Sequence, residues 1–150
     1  MSTDEKISKD LIQTLKDGRE GFAKAADKLA ADGRNDLAER FREFSTQRER
    51  FSTELTQLAG AYGDDADTSG SLAGTVHRGW MTLKDALAGS DPEGVLDVAE
   101  QGEDHAKSEY AKALDTNDIS SGLRTVVERQ YADVQVAHDV VRDLRDAYAA

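Results

Sequence analysis

Cysteine is absent from the 150-residue chain. That excludes disulfides, cysteine-ligated zinc, iron–sulfur clusters and a thiol nucleophile. Proline occurs once, at Pro92, and tryptophan once, at Trp80. No apolar run approaches the roughly 20 residues that a membrane span needs. Positive charge is scarce: 19 Lys and Arg stand against 30 Asp and Glu, a formal net charge of −11. Such a surplus repels nucleic acid and anionic membrane surfaces, so neither is an expected partner. The opening Met1-Ser2-Thr3-Asp4-Glu5 is polar and acidic, unlike a signal or transit peptide. The expectation is one acidic, cytoplasmic domain over residues 1–150.

What the chain does have is helical periodicity. Ile7, Leu11, Leu15, Gly18, Phe22, Ala25 and Leu29 recur at steps of three and four, which predicts a helix over about 3–31. Ser2 with Glu5 reads as its capping box and Gly33 as its left-handed stop. Leu37, Phe41, Phe44, Phe51, Leu55, Leu58 and Tyr62 predict a second helix over about 35–62, with Asn35 as N-cap and Gly63 just past its end. After a polar loop at 64–70, Leu72, Val76, Trp80, Leu83 and Leu87 mark a shorter amphipathic piece, about 71–88. Asp91-Pro92 is a helix start, because the missing N–H of proline costs nothing at the first helical position. The helix it opens runs to about Leu114, with Val95, Ala99, Gly102, Ala106, Tyr110 and Ala113 facing inward. The last helix covers about 119–148, with Leu123, Val126, Val127, Gln130, Val134, Ala137, Val141 and Leu144 on its stripe.

The plan is therefore all-α: two long-helix hairpins joined by a long connection with its own helix. Short loops suffice for an up-down-up-down bundle. A single long crossover between helices two and three is the ferritin-like arrangement.

Several segments also carry a family resemblance. They are Ser71-Leu72-Ala73-Gly74-Thr75-Val76-His77-Arg78-Gly79-Trp80 with Leu83-Lys84, Glu100-Gln101-Gly102-Glu103-Asp104 with Tyr110 and Ala113-Leu114, and Arg129-Gln130-Tyr131 with His138-Asp139 and Val141-Arg142. Asp17-Gly18 and Gly21-Phe22 belong with them. Together they resemble a bacterial family of ferritin-like four-helix-bundle proteins, domain of unknown function 2383. The resemblance implies a ferritin-like bundle with a crossover helix and no established activity. Some relatives with ferritin-like bundles are linked to stress responses, and that link is association only.

A two-metal carboxylate site in such a bundle takes a Glu from each of two helices and a Glu-x-x-His pair from each of the other two. This chain lacks the pair: Glu128 is followed by Tyr131 and Glu49 by Ser52, and none of His77, His105 and His138 has a Glu three residues before it. Iron or another transition metal is accordingly a secondary expectation, with Asp17, Glu103, Glu109 and His138 as the substitute ligands. Mid-height positions suggest another arrangement. Counting residues from the two turns puts Asp17 level with Arg48 and Glu103 level with Tyr131, next to Gln130. Arg48 falls within the stripe of Phe44, Phe51 and Leu55, and Gln130 within that of Leu123, Val134 and Val141. Gly18 and Gly102 leave room at this level. Arg48, a fixed cation with five donors, could join Glu103, Gln130 and Asp17 in a polar core network. It could equally snorkel to solvent over Phe44 and Phe51. An inward Arg would repel divalent metal.

Trp80 is expected to dock the crossover helix onto the bundle. The run of Arg40, Arg42, Arg48 and Arg50 beside Glu39, Glu43, Glu49 and Glu54 reads mainly as a solvated face of helix pairs. No Ser-His-Asp order, phosphate loop or nucleotide fingerprint is present. Three function classes follow: a non-enzymatic bundle acting as a stress-associated or interaction protein, a metal-binding or di-iron oxidase protein with a degenerate site, and a small-molecule binder using the space at Gly18 and Gly102. The charge favours a monomer or small homo-oligomer.

Overall fold

The first helix is set by its ends. Ser2 Oγ accepts a hydrogen bond from Glu5 N–H at 3.0 Å, and α1 then runs Thr3–Ala31. Gly33 stops it with φ of +80°, a conformation that only glycine adopts without cost. The Gly33 and Arg34 amides bond back to the carbonyls of Ala30 and Leu29. The computed structural model describes residues 2–61 and 91–149. The crossover segment at about 71–88, Trp80, His77, Tyr62 and Gly63 lie outside the described residues.

After a three-residue turn, α2 runs Asn35–Ala61. Its start differs from the expected one: Asn35 is already helical and Arg34 O accepts from Ala38 N–H. Helix α3 is Pro92–Leu114, capped by Asp91 Oδ1 on Gly94 N–H at 2.9 Å. Helix α4 is Ser121–Ala149 and begins two residues later than the apolar stripe suggests. Ser120 takes over there: its N–H donates to Asp4 of α1 and its hydroxyl accepts from Leu123 N–H.

Among the described residues all regular structure is helical, and the four helices form a bundle. α1 packs on α2 and on α3, and α4 packs on α3 and, more sparsely, on α2. Two buried clusters fill it. One joins Phe22, Ala26 and Leu29 to Phe41, Phe44, Val95, Leu96 and Val141. The other joins Leu11, Ile12 and Leu15 to Phe51, Leu55, Tyr110, Val127 and Val134. The first holds the early residues of both α2 and α3, and the second holds the later residues of both, so α2 and α3 run in the same direction. The end of α2 and the start of α3 thus lie at opposite ends of a bundle about 40 Å long, at about 1.5 Å per helical residue.

Candidate functional site

The polar residues that matter sit between the two clusters. Arg48 comes from the apolar stripe of α2 and is 1% exposed; Glu103 comes from α3 and is 0% exposed. Their side chains meet as a bidentate pair, Nη1 to Oε1 at 2.6 Å and Nη2 to Oε2 at 2.7 Å. Arg48 Nε donates to Gln47 Oε1 at 3.4 Å, and the guanidinium lies 5.3 Å from the centre of the Phe22 ring. Of the two arrangements open to Arg48, the structure has the inward one. The fork of an Arg matches a carboxylate in two parallel bonds, which orients both groups. Gly18 supplies the space: a Cβ there would stand 3.6 Å from both Cγ and Nη1 of Arg48. That space is filled by the arginine and is not left for a ligand.

Gln130 and Asp17 are buried at the same seam, at 0% and 6% exposure, but bond elsewhere. Gln130 Oε1 accepts from Tyr110 OH at 2.7 Å, and its amide donates to Phe51 O at 3.3 Å and Glu54 Oε1 at 2.8 Å. Arg129 closes this second chain on Glu54. Asp17 Oδ1 accepts from Gln13 Nε2 at 3.1 Å. Burial pushes the Tyr110 phenol far above its ordinary range; the charge of Arg48 works against this, and those of Glu54 and Glu103 add to it. Burial raises the Glu54 carboxyl, but hydrogen bonds from Gln130 and Arg129 outweigh it and leave Glu54 below the usual range.

Register explains why Glu103 is not beside Gln130. The contacts that join α3 to α4 pair Tyr110 with Gln130 and Asp104 with His138, several residues beyond the level counted from the turn. α4 starts two residues late, and helical side chains lean towards their own N-terminus, in opposite directions along an antiparallel pair. Both effects move the partner of each α3 residue further along α4.

The four substitute metal ligands do not converge. Asp17 is on Gln13, Glu103 is on Arg48, and Glu109 lines an outer groove of about 250 Å³ with Lys6, Ile7, Asp10 and Lys112. His138 belongs instead to a group that the sequence reading missed. Its Nε2 is 2.7 Å from Asp104 Oδ1 and its Nδ1 is 3.1 Å from Asp139 Oδ1. Glu100, one helical turn before Asp104, brings a carboxylate oxygen within 4.8 Å of both. The i, i+4 spacing of the two acids was the available signal. It could not be joined to His138 without the register.

Sequence comparison adds a family. The model described as "Domain of unknown function (DUF2383)" matches residues 6–116, nearly three quarters of the chain. The chain belongs to this family. The matched span covers α1 from Lys6 on and all of α2 and α3, and so holds both Arg48 and Glu103, along with Glu100 and Asp104. Gln130 and His138 of α4 lie beyond it. No curated protein matches the chain. No helix among the described residues is long and apolar enough to cross a membrane.

Proposed function

We propose that this DUF2383 chain is a ferritin-like bundle in which an ion pair, Arg48–Glu103, stands where metal-bearing relatives hold a carboxylate-bound metal pair, and that it works as a non-enzymatic scaffold, stress-associated or partner-binding. The observation that carries the reading is the bidentate pair at the seam, with both side chains buried. The parallel course of α2 and α3 supports the ferritin-like part, since that topology places one long crossover between helices two and three.

A two-metal centre does not fit these residues. Such a centre needs several carboxylates and two imidazoles converging on one point. Here the buried carboxylate of Glu103 already has both oxygens on a guanidinium, and no imidazole among the described residues bonds to it. A fixed cation at that point opposes a divalent ion, and no metal step is assigned to the centre. The pair is better suited to fixing how the helices meet.

The test is metal content by mass spectrometry on protein expressed with iron, manganese and zinc supplied and purified without chelator. The expected result is that Glu103→Gln leaves metal content unchanged. Two equivalents of a transition metal, lost in Glu103→Gln, would overturn the reading.

A further inference from the structure

We infer that Glu100, Asp104 and His138 form a single-ion site for a divalent transition metal of the zinc class, on the outer seam between α3 and α4. This is a different place from the central pair. One ligand atom from each of the three residues lies within 4.8 Å of the others. Ligand atoms about 2.1 Å from a tetrahedral zinc stand roughly 3.4 Å apart, so a common shell needs only rotamer adjustments. Two carboxylates one turn apart on one helix, with an imidazole from the next, leave a fourth position for water. Asp104 is 61% exposed, so that position opens to solvent, whereas the His138 side chain is 9% exposed.

The imidazole itself points to a cation. Both ring nitrogens face carboxylate oxygens, Asp139 at Nδ1 and Asp104 at Nε2. A neutral imidazole has one N–H and can serve only one of them. If Nδ1–H donates to Asp139, the Nε2 lone pair confronts an anion. That contact is favourable only with a cation between them. A carboxylate on the far nitrogen is also the usual second partner of a metal-bound histidine, because it fixes the tautomer and raises the basicity of the ligand. The third carboxylate, Glu100, is held at one oxygen by Arg145 as an ion pair.

The neighbouring cations set the limits. Arg145 also contacts Asp97 and Asp146, Arg142 contacts Asp139 and Asp143, and Lys107 acts on Asp139 at longer range. Arg145 is the direct competitor. It has to swing from Glu100 towards Asp97 and Asp146 when an ion enters.

The test is titration of metal-free full-length protein with Zn²⁺ by calorimetry and with Co²⁺ by its visible absorption. One equivalent is expected to bind saturably, with a four-coordinate cobalt spectrum and a raised melting temperature. Asp104→Asn, at an exposed position, should abolish binding without threatening the fold, and His138→Gln should abolish binding as well. Asp139→Asn should weaken binding about tenfold. Arg145→Gln should tighten it about fivefold, by removing a unit charge near the ion. Glu103→Gln should leave it unchanged, which separates this site from the central pair. Absence of saturable binding would overturn the inference. So would binding that Asp104→Asn and His138→Gln leave intact.

Discussion

Glu103→Leu isolates the energetics of the bundle centre. It leaves the Arg48 guanidinium, 1% exposed, with its two Nη bonds unmade. Removing one partner of a buried pair costs about 3–5 kcal/mol, because the remaining charge is left desolvated. With an m-value of about 2 kcal/mol/M, the urea midpoint should fall by about 2 M, and the melting temperature by roughly 10 °C. Arg48→Met should cost a similar amount, since it strands a carboxylate that is 0% exposed. The double variant Arg48→Met/Glu103→Leu removes both charges and restores apolar packing against Phe22. It should recover most of the loss, as replaced buried pairs are often neutral or even stabilising by about 1–4 kcal/mol. The assay is urea denaturation followed by circular dichroism at 222 nm for all four proteins, with the interaction energy taken from the cycle. Single losses below about 1 kcal/mol, or a double variant whose loss equals the sum of the singles, would refute the reasoning.

Two further outcomes follow from the same seam. Gly18→Ala should stabilise by up to about 1 kcal/mol, since alanine is the better helix former and the added Cβ meets Arg48 at an ordinary 3.6 Å; a thermal melt lower than that of the parent would contradict this. Tyr110→Phe should change the alkaline limb of stability: burial favours the neutral phenol in the fold, so its contribution is complete below the unfolded value near 10 and is lost as pH rises above it. Ultraviolet titration should therefore show one of the four tyrosines ionising only on unfolding, and that late step should vanish in the Phe variant.

The helices were legible because local rules set them. The stripe of Ile7, Leu11 and Leu15, the Asp91-Pro92 start and the Gly33 stop are written in neighbouring residues, and the structure places α1, α2 and α3 within a residue or two of those marks. The start of α4 was not, because Ser120 satisfies its end through Asp4, 116 residues away. Facing was legible too. Arg48 interrupts the run Phe44, Phe51, Leu55, which places it on the inward stripe, but the stripe left open whether its guanidinium turns inward or snorkels to solvent. Partners were less so. Tyr110 belongs to an apolar stripe, and nothing local says that its hydroxyl meets Gln130. Glu100, Asp104 and His138 come together only through the register between α3 and α4, which depends on where a loop ends and how side chains lean. Counting from the turn misses by enough to exchange Asp104 for another neighbour.

The buried pair joins residues 55 positions apart, and the bonds of Gln130 to Phe51 and Glu54 span 79 and 76. All three cross from the α1–α2 hairpin to the α3–α4 hairpin. Each hairpin closes over a short turn and needs no distant partner, so it can assemble quickly. The directional bonds form only when the two halves dock. Chain topology therefore favours hairpins first, then a docking step in which Arg48 must find Glu103 and no other carboxylate. Apolar surfaces tolerate sliding by a helical turn, but a two-pronged bond does not. The pair thus works as a key to register. Its removal should be felt mainly as faster separation of the halves, in the unfolding rate, with the rate of hairpin formation left nearly untouched.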